Sequence, residues 1–130
     1  EYTQGPEHSD VAESLNNLGR LYLVQGRFAE AGRLFQRSLK IFENVSGPEH
    51  PRVALSLHTM ALLHTGKGHD AEAEPLYQRA LTIYENALGP KHPHMAKSLK
   101  GYAQLLRRTA RTDEAENMEV RTKEIRAKSE

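Results

Sequence analysis

The stretch GPEHPRVALSLHTMALLHTGKGHDAEAEPLYQRALTIYENAL, residues 47–88, decides the fold, because the same text stands on both sides of it. Laid without a gap over residues 5–46 it is identical at 20 of 42 positions, and over residues 89–130 at 14 of 42, far more than unrelated segments share. Fixed landmarks set the period: Gly5, Gly47 and Gly89; His8, His50 and His92; Ala12, Ala54 and Ala96; Ser14, Ser56 and Ser98; Leu15, Leu57 and Leu99. A period of about 20–50 residues marks a unit that cannot bury its apolar face alone and must stack on its neighbours. The chain is therefore a repeat array.

Within each unit the apolar spacing is helical. From Ser9 to Gln25, Val11, Leu15, Leu18, Leu21 and Tyr22 recur mostly three or four apart, which places them on one helical stripe, helix A. Ser9 or Asp10 can cap its first turn, and Gly26 stands where it must end. From Ala29 to Val45 a second stripe, Ala31, Leu34, Phe35, Leu39 and Phe42, makes helix B, so the unit is a helical hairpin. Between units, Gly47 ends one helix and Pro51 opens the next with its fixed φ and missing donor. The second copy repeats the scheme with Leu57, Met60, Leu63 and His64 on helix A, and Ala73, Leu76, Tyr77, Ala80, Leu81 and Tyr84 on helix B. Pro75, about five residues into helix B, predicts a slight kink or a tightened first turn but no break.

The third copy keeps helix A in Leu99, Tyr102, Leu105 and Leu106, then loses the pattern. Glu119 stands where Phe35 and Tyr77 stood, and Lys123 replaces Leu39 and Leu81. Burying an unpaired charge costs several kcal/mol, so only Ala115, Met118 and Ile125 are expected to face the stack. A polar outer face is what a terminal repeat of a solenoid needs. The first helix has no such cover, and its outer side, with Val11 and Leu21, is expected to be exposed. Glu1 is not a methionine, and Glu1 to Gln4 stand where a preceding repeat's second helix would be ending, so residues 1–130 read as one domain from a longer chain.

Composition narrows the function classes. Lys plus Arg number 18 against 17 acids, so the overall balance points to neither nucleic acid nor an anionic membrane, and any electrostatic message must be local. The absence of cysteine removes disulfides, thiolate metal sites and cysteine nucleophiles together and favours a reducing compartment. No apolar run approaches the roughly 18 residues that span a bilayer, and no signal peptide is visible. The expectation is a soluble, cytoplasmic protein.

The small residues Gly19, Ala61 and Ala103 on helix A, the turn glycines Gly26 and Gly68, the helix B alanines Ala31, Ala73 and Ala115 and the aromatics Phe35 and Tyr77 resemble the tetratricopeptide repeat pattern. The period of 42, the GPEHP linker and the phrases SLNNLGRLYLVQGRFAEA and EAEPLYQRALTIYE resemble the kinesin-light-chain type of that repeat, and bacterial proteins of this type more closely still. The resemblance implies an all-α solenoid of three helix-turn-helix repeats, 5–46, 47–88 and 89–130, in a right-handed stack. Departures are Ala110 at the third turn, and His64 and Leu106 where helix A otherwise ends in Tyr22.

In that family helix A lines a concave face that binds extended peptides or partner helices. Carried over by position, the groove takes Glu13, Asn16, Arg20 and Leu23 from copy one, and Leu55, His58, Leu62 and Thr65 from copy two. Copy three adds Lys97, Lys100, Gln104 and Arg107. The bias is positive around an apolar centre at Leu55 and Leu62, which suits an acidic segment with hydrophobic anchors. The matching asparagines of the family bond a bound peptide's backbone. Here Asn16 and Asn17 give way to His58-Thr59 and Lys100-Gly101, which confines such contacts to the first copy. The Lys and Asn set of the chaperone-binding carboxylate clamp is not reproduced in order.

His8, His50 and His92 are one period apart, too far for one ion, and are expected to bond backbone at helix starts. His58, His64, His69 and His94 fall in different roles with no HxxxH pair, so no metal site is expected, nor any other cofactor. No Ser, His and acid set and no Gly-rich phosphate loop is present; Glu72 and Glu74, like Glu114 and Glu116, are two apart on a helix and diverge. The reading is a protein-binding scaffold and not an enzyme. Its alternatives are self-association through the uncapped first helix, or a regulatory segment of a larger signalling protein.

Overall fold

The structure is a computed structural model that describes residues 9–129. Six helices follow one another: α1 (Ser9–Val24), α2 (Phe28–Ser46), α3 (Pro51–Gly66), α4 (Asp70–Leu88), α5 (Pro93–Arg108) and α6 (Thr112–Ser129). Each odd-numbered helix packs on the even one that follows it, and α2 and α4 pack in turn on α3 and α5. α1 also touches α3, and α3 touches α5, so the odd-numbered helices share one face. The result is the expected all-α solenoid. None of these helices is long and apolar enough to cross a membrane.

The hairpin turns are built alike. The Arg27, His69 and Arg111 amides donate to the carbonyls five residues back, Tyr22, His64 and Leu106, at 2.9, 2.8 and 2.8 Å, the outer bond of a Schellman turn. That turn needs one residue at positive φ, which Gly26 (78°) and Gly68 (80°) supply without strain. Ala110 supplies it in the third turn at φ 64°, so the departure from glycine leaves the geometry unchanged and costs about 1–2 kcal/mol. His50 and His92 do bond backbone at helix starts: their Nδ1 atoms accept from Arg52 N–H and His94 N–H, both at 3.1 Å, ahead of Pro51 and Pro93. His8, the cap of α1 and the segment Glu1 to Gln4 lie outside the described residues. α4 continues through Pro75, and its first turn is tightened, with the His69 carbonyl accepting from both Glu72 and Ala73 N–H at 3.2 Å.

The core runs along the stack through Phe42, Leu57, Tyr77, Ile83, Leu99 and Leu106, all essentially inaccessible. Phe35 fills the gap over Gly19, where an added Cβ would stand 2.6 Å from the ring, so residue 19 must be glycine for the aromatic to seat. Buried small residues Ala61 and Ala103 hold the equivalent places. Ser38 Oγ ties the hairpin by donating to the Ala12 carbonyl at 2.8 Å.

The two ends of the stack differ. On α1, Leu18 is 40% and Leu21 53% exposed, whereas the counterparts of Leu21 in the next two repeats, Leu63 and Leu105, are buried. Val11, expected on the exposed side, is half-buried against the core. On α6, Ala115 and Ile125 are buried as expected and Met118 half-buried. Thr122, which the apolar pattern passes over, is also buried, with its hydroxyl donating to the Met118 carbonyl at 2.9 Å. Glu119 escapes the cost of burial by staying 39% exposed, where it takes both arms of the Arg107 guanidinium at 2.6 and 2.7 Å.

Candidate functional site

The shared face of α1, α3 and α5 has two seams. At the first, the Thr59 hydroxyl donates to Asn16 Oδ1 at 3.0 Å, and Asn16 is 1% exposed. Asn16 is thus corrected from a groove residue to a buried clasp between α1 and α3. A side-chain amide committed in this way is withdrawn from any peptide; Asn17 beside it is exposed.

At the second seam Ser98 Oγ lies 3.1 Å from His58 Nδ1, and beside them the surface opens into a cleft of about 180 Å³. Leu55 and His58 of α3 and Lys97 of α5, all expected in the groove, line it together with Arg52, Tyr84 and His94. Arg52 and His94 stand three residues before Leu55 and Lys97, so extending the helical face by one step finds them. Tyr84 belongs to α4, and no pattern on the odd helices points to it.

Burial dominates the electrostatics of the cleft. It pushes the His58 imidazole down to about 4, helped by the positive charges of Arg20 and Lys97, so this ring is neutral at pH 7. Burial alone pushes the Tyr84 phenol up to about 12. His94 is likewise lowered by burial, with His92 and Lys97 adding to the effect. The fixed charges at the rim are therefore those of Arg52 and Lys97. Arg52 is shared with Glu13 of α1 at 3.3 Å.

The other expected groove residues scatter. Leu23 packs with Phe35, Leu63 and Phe28 where the first hairpin meets the second, and is no free anchor. Leu62 is half-buried, and the Thr65 hydroxyl donates to its carbonyl at 2.9 Å. Lys100 and Gln104 border a separate recess of about 230 Å³ with Lys123 and Arg126 of α6. Arg107, expected as a free cation of the groove, is held by Glu119. Arg20 is exposed on α1. Among the described residues no carboxylate pairs with Arg20, Lys97 or Lys100.

His64 and His69, which spacing assigned to unrelated roles, are brought together across the second hairpin turn with ring centres 6.4 Å apart.

The sequence profile described as tetratricopeptide repeat matches residues 10–86 and 71–128. No curated protein matches the chain. Among solved structures, BtubC (BKLC) from P. vanneervenii superposes with a TM-score of 0.86 at 23% identity, over 95% of this chain and 50% of that one. The nearly identical TPR-like repeats of a Podosopora anserina kinesin light chain have been solved twice. One structure, of a variant, gives a TM-score of 0.77 at 26% identity over 96% of this chain and 59% of that one. The other gives 0.75 at 25% identity over 97% and 60%. The chain thus spans half to three fifths of the length of these solved chains. Such repeats are non-catalytic scaffolds for protein interaction. With a 42-residue hairpin, three matching copies and this superposition, the chain belongs to the tetratricopeptide repeat family, in its kinesin-light-chain-like form.

Proposed function

We propose that the cleft between α3 and α5 receives an acidic segment of a protein partner, with an apolar side chain against Leu55 and Tyr84 and carboxylates toward Lys97, Arg52 and Arg20. The observation that carries this reading is the cleft itself: an apolar floor whose half-buried histidine is neutral, with lysine and arginine at the rim. Apolar burial would hold such a partner, and the cations would steer it and set its register. In this reading the repeats 5–46, 47–88 and 89–130 act as one domain, with α6 as its polar cap. Lys100 and Gln104 then extend the basic surface beyond the cleft rather than completing it.

Binding of the chain to acidic and neutral peptides carrying one leucine or phenylalanine, in low and high salt, tests the reading. Capture should be selective for acidic peptides, fall as salt rises, and be lost in the triple variant Arg20→Glu, Lys97→Glu, Lys100→Glu. Equal binding by the variant would end this reading.

A second reading rests on the apolar residues Leu18 and Leu21, exposed on α1. Stacking of another copy there would make sedimentation concentration-dependent, and Leu21→Lys would return the chain to a monomer.

A further inference from the structure

The three hairpin turns carry the same three positions one period apart, and two of them are clipped alike. In the first, Arg27 forks onto Glu30 at 2.8 and 2.5 Å, and its guanidinium lies 4.2 Å from the centre of the Tyr22 ring. In the third, Arg111 forks onto Glu114 at 2.8 and 2.9 Å, with Leu106 in the place of the tyrosine. The middle turn keeps the acid, Glu72, but has His69 for the arginine and His64 for the tyrosine. There the fork is gone: His69 Nδ1 stands 3.7 Å from Glu72 Oε1. The His64 ring lies nearly parallel to that of His69, at 28°, and one donor atom from each of the three side chains falls within 4.8 Å of the other two. His64 Nδ1 is buried and has no hydrogen-bond partner among the described residues.

We propose that His64, His69 and Glu72 bind one divalent transition-metal ion, most suitably Zn2+, which takes the place that the arginine guanidinium occupies in the first and third turns. Zinc bonds imidazole nitrogen and carboxylate oxygen at about 2.0–2.2 Å, so donors sharing one ion stand about 3–4 Å apart. Rotation of His69 and Glu72, both exposed, closes the remaining gap. Two imidazoles select against calcium and magnesium, which take oxygen ligands. The neighbouring acids are committed elsewhere: Asp70 to Arg108 at 2.8 Å and Glu74 to Arg111 at 2.7 Å. The protein thus supplies three ligands, and water would complete the shell. His64 lies in the last turn of α3, His69 at the N-cap position of α4 and Glu72 in its first turn, so the ion would staple the two helices of the middle hairpin.

Titration of the 130-residue chain with ZnCl2, followed by calorimetry and by the imidazole resonances of its seven histidines, tests the proposal. One equivalent should saturate the protein and move His64 and His69 before any other ring. His69→Ala and Glu72→Gln should each weaken binding at least about tenfold, the scale already seen for groups one step removed from a metal. His69→Arg, which restores the fork to Glu72, should abolish it in a folded chain, and His94→Ala should leave it unchanged. Zinc should raise Tm in the parent and not in His69→Arg, since an ion bound only by the folded state stabilises it. The proposal is overturned if His92 and His94, whose rings are 4.8 Å apart, respond first. It is equally overturned if His69→Ala binds as tightly as the parent, or if no saturable binding occurs.

Discussion

The two seams on the face of the odd helices begin from the same backbone plan and end with opposite surfaces. Between α1 and α3, Asn16 and Thr59 reach across and close the surface over a buried hydrogen bond. Between α3 and α5, the residue one period after Asn16 is His58, and its contact with Ser98 leaves a cleft beside it. A repeat scaffold fixes where helices lie; a few side chains at equivalent positions decide whether a seam is a closed clasp or an open cleft.

The largest effect that sharpens this comparison is on packing. Leu57→Ala and Leu99→Ala, at inaccessible core positions, are expected to lose about 2–5 kcal/mol in urea unfolding. The same change at Leu15, one period upstream and only half-buried, should cost clearly less. Equal losses would mean that the first hairpin is as deeply built into the stack as the others.

Acid should strain the second seam selectively. His58 titrates at about 4 in the folded chain against 6.5 when unperturbed, so between these values the unfolded chain binds a proton that the folded chain refuses. Stability therefore falls as pH drops from about 6.5 to 4 and levels off below, by up to about 3 kcal/mol from this group. His58→Gln should flatten that slope in denaturation curves measured across the window.

Removing the clasp at the first seam comes next. Thr59→Val keeps the shape but leaves the buried Asn16 amide without its partner, at a cost of about 1–3 kcal/mol. Ser98→Ala should cost less, because half-buried His58 can turn to water. The smallest change lies away from both seams and has the opposite sign. Ala110→Gly relieves the positive φ of the third turn and should raise stability by about 1 kcal/mol in thermal melts, leaving the cleft between α3 and α5 as it was.

The fold was legible in the sequence because its signals are local and repeated. Helical spacing, turn glycines and the prolines at helix starts each occur more than once, and the period ties them together. The site was legible only in part. Leu55, His58 and Lys97 meet in the cleft because their helical face is set by periodicity. Asn16 is buried rather than in a groove because of Thr59, 43 residues away, and the pairing of Arg107 was not legible because Glu119 comes from another helix. Tyr84 and the meeting of His64 with His69 and Glu72 depend on how one helix sets against another, which single-helix spacing does not encode.

The most direct test of the account is an amide chemical-shift map of the chain with an acidic peptide bearing one leucine. Perturbations should concentrate at Leu55, His58, Lys97 and Ser98, with the region of Asn16 and Thr59 quiet. Shifts centred on Leu18 and Leu21 of α1 instead, or none at all, would contradict it.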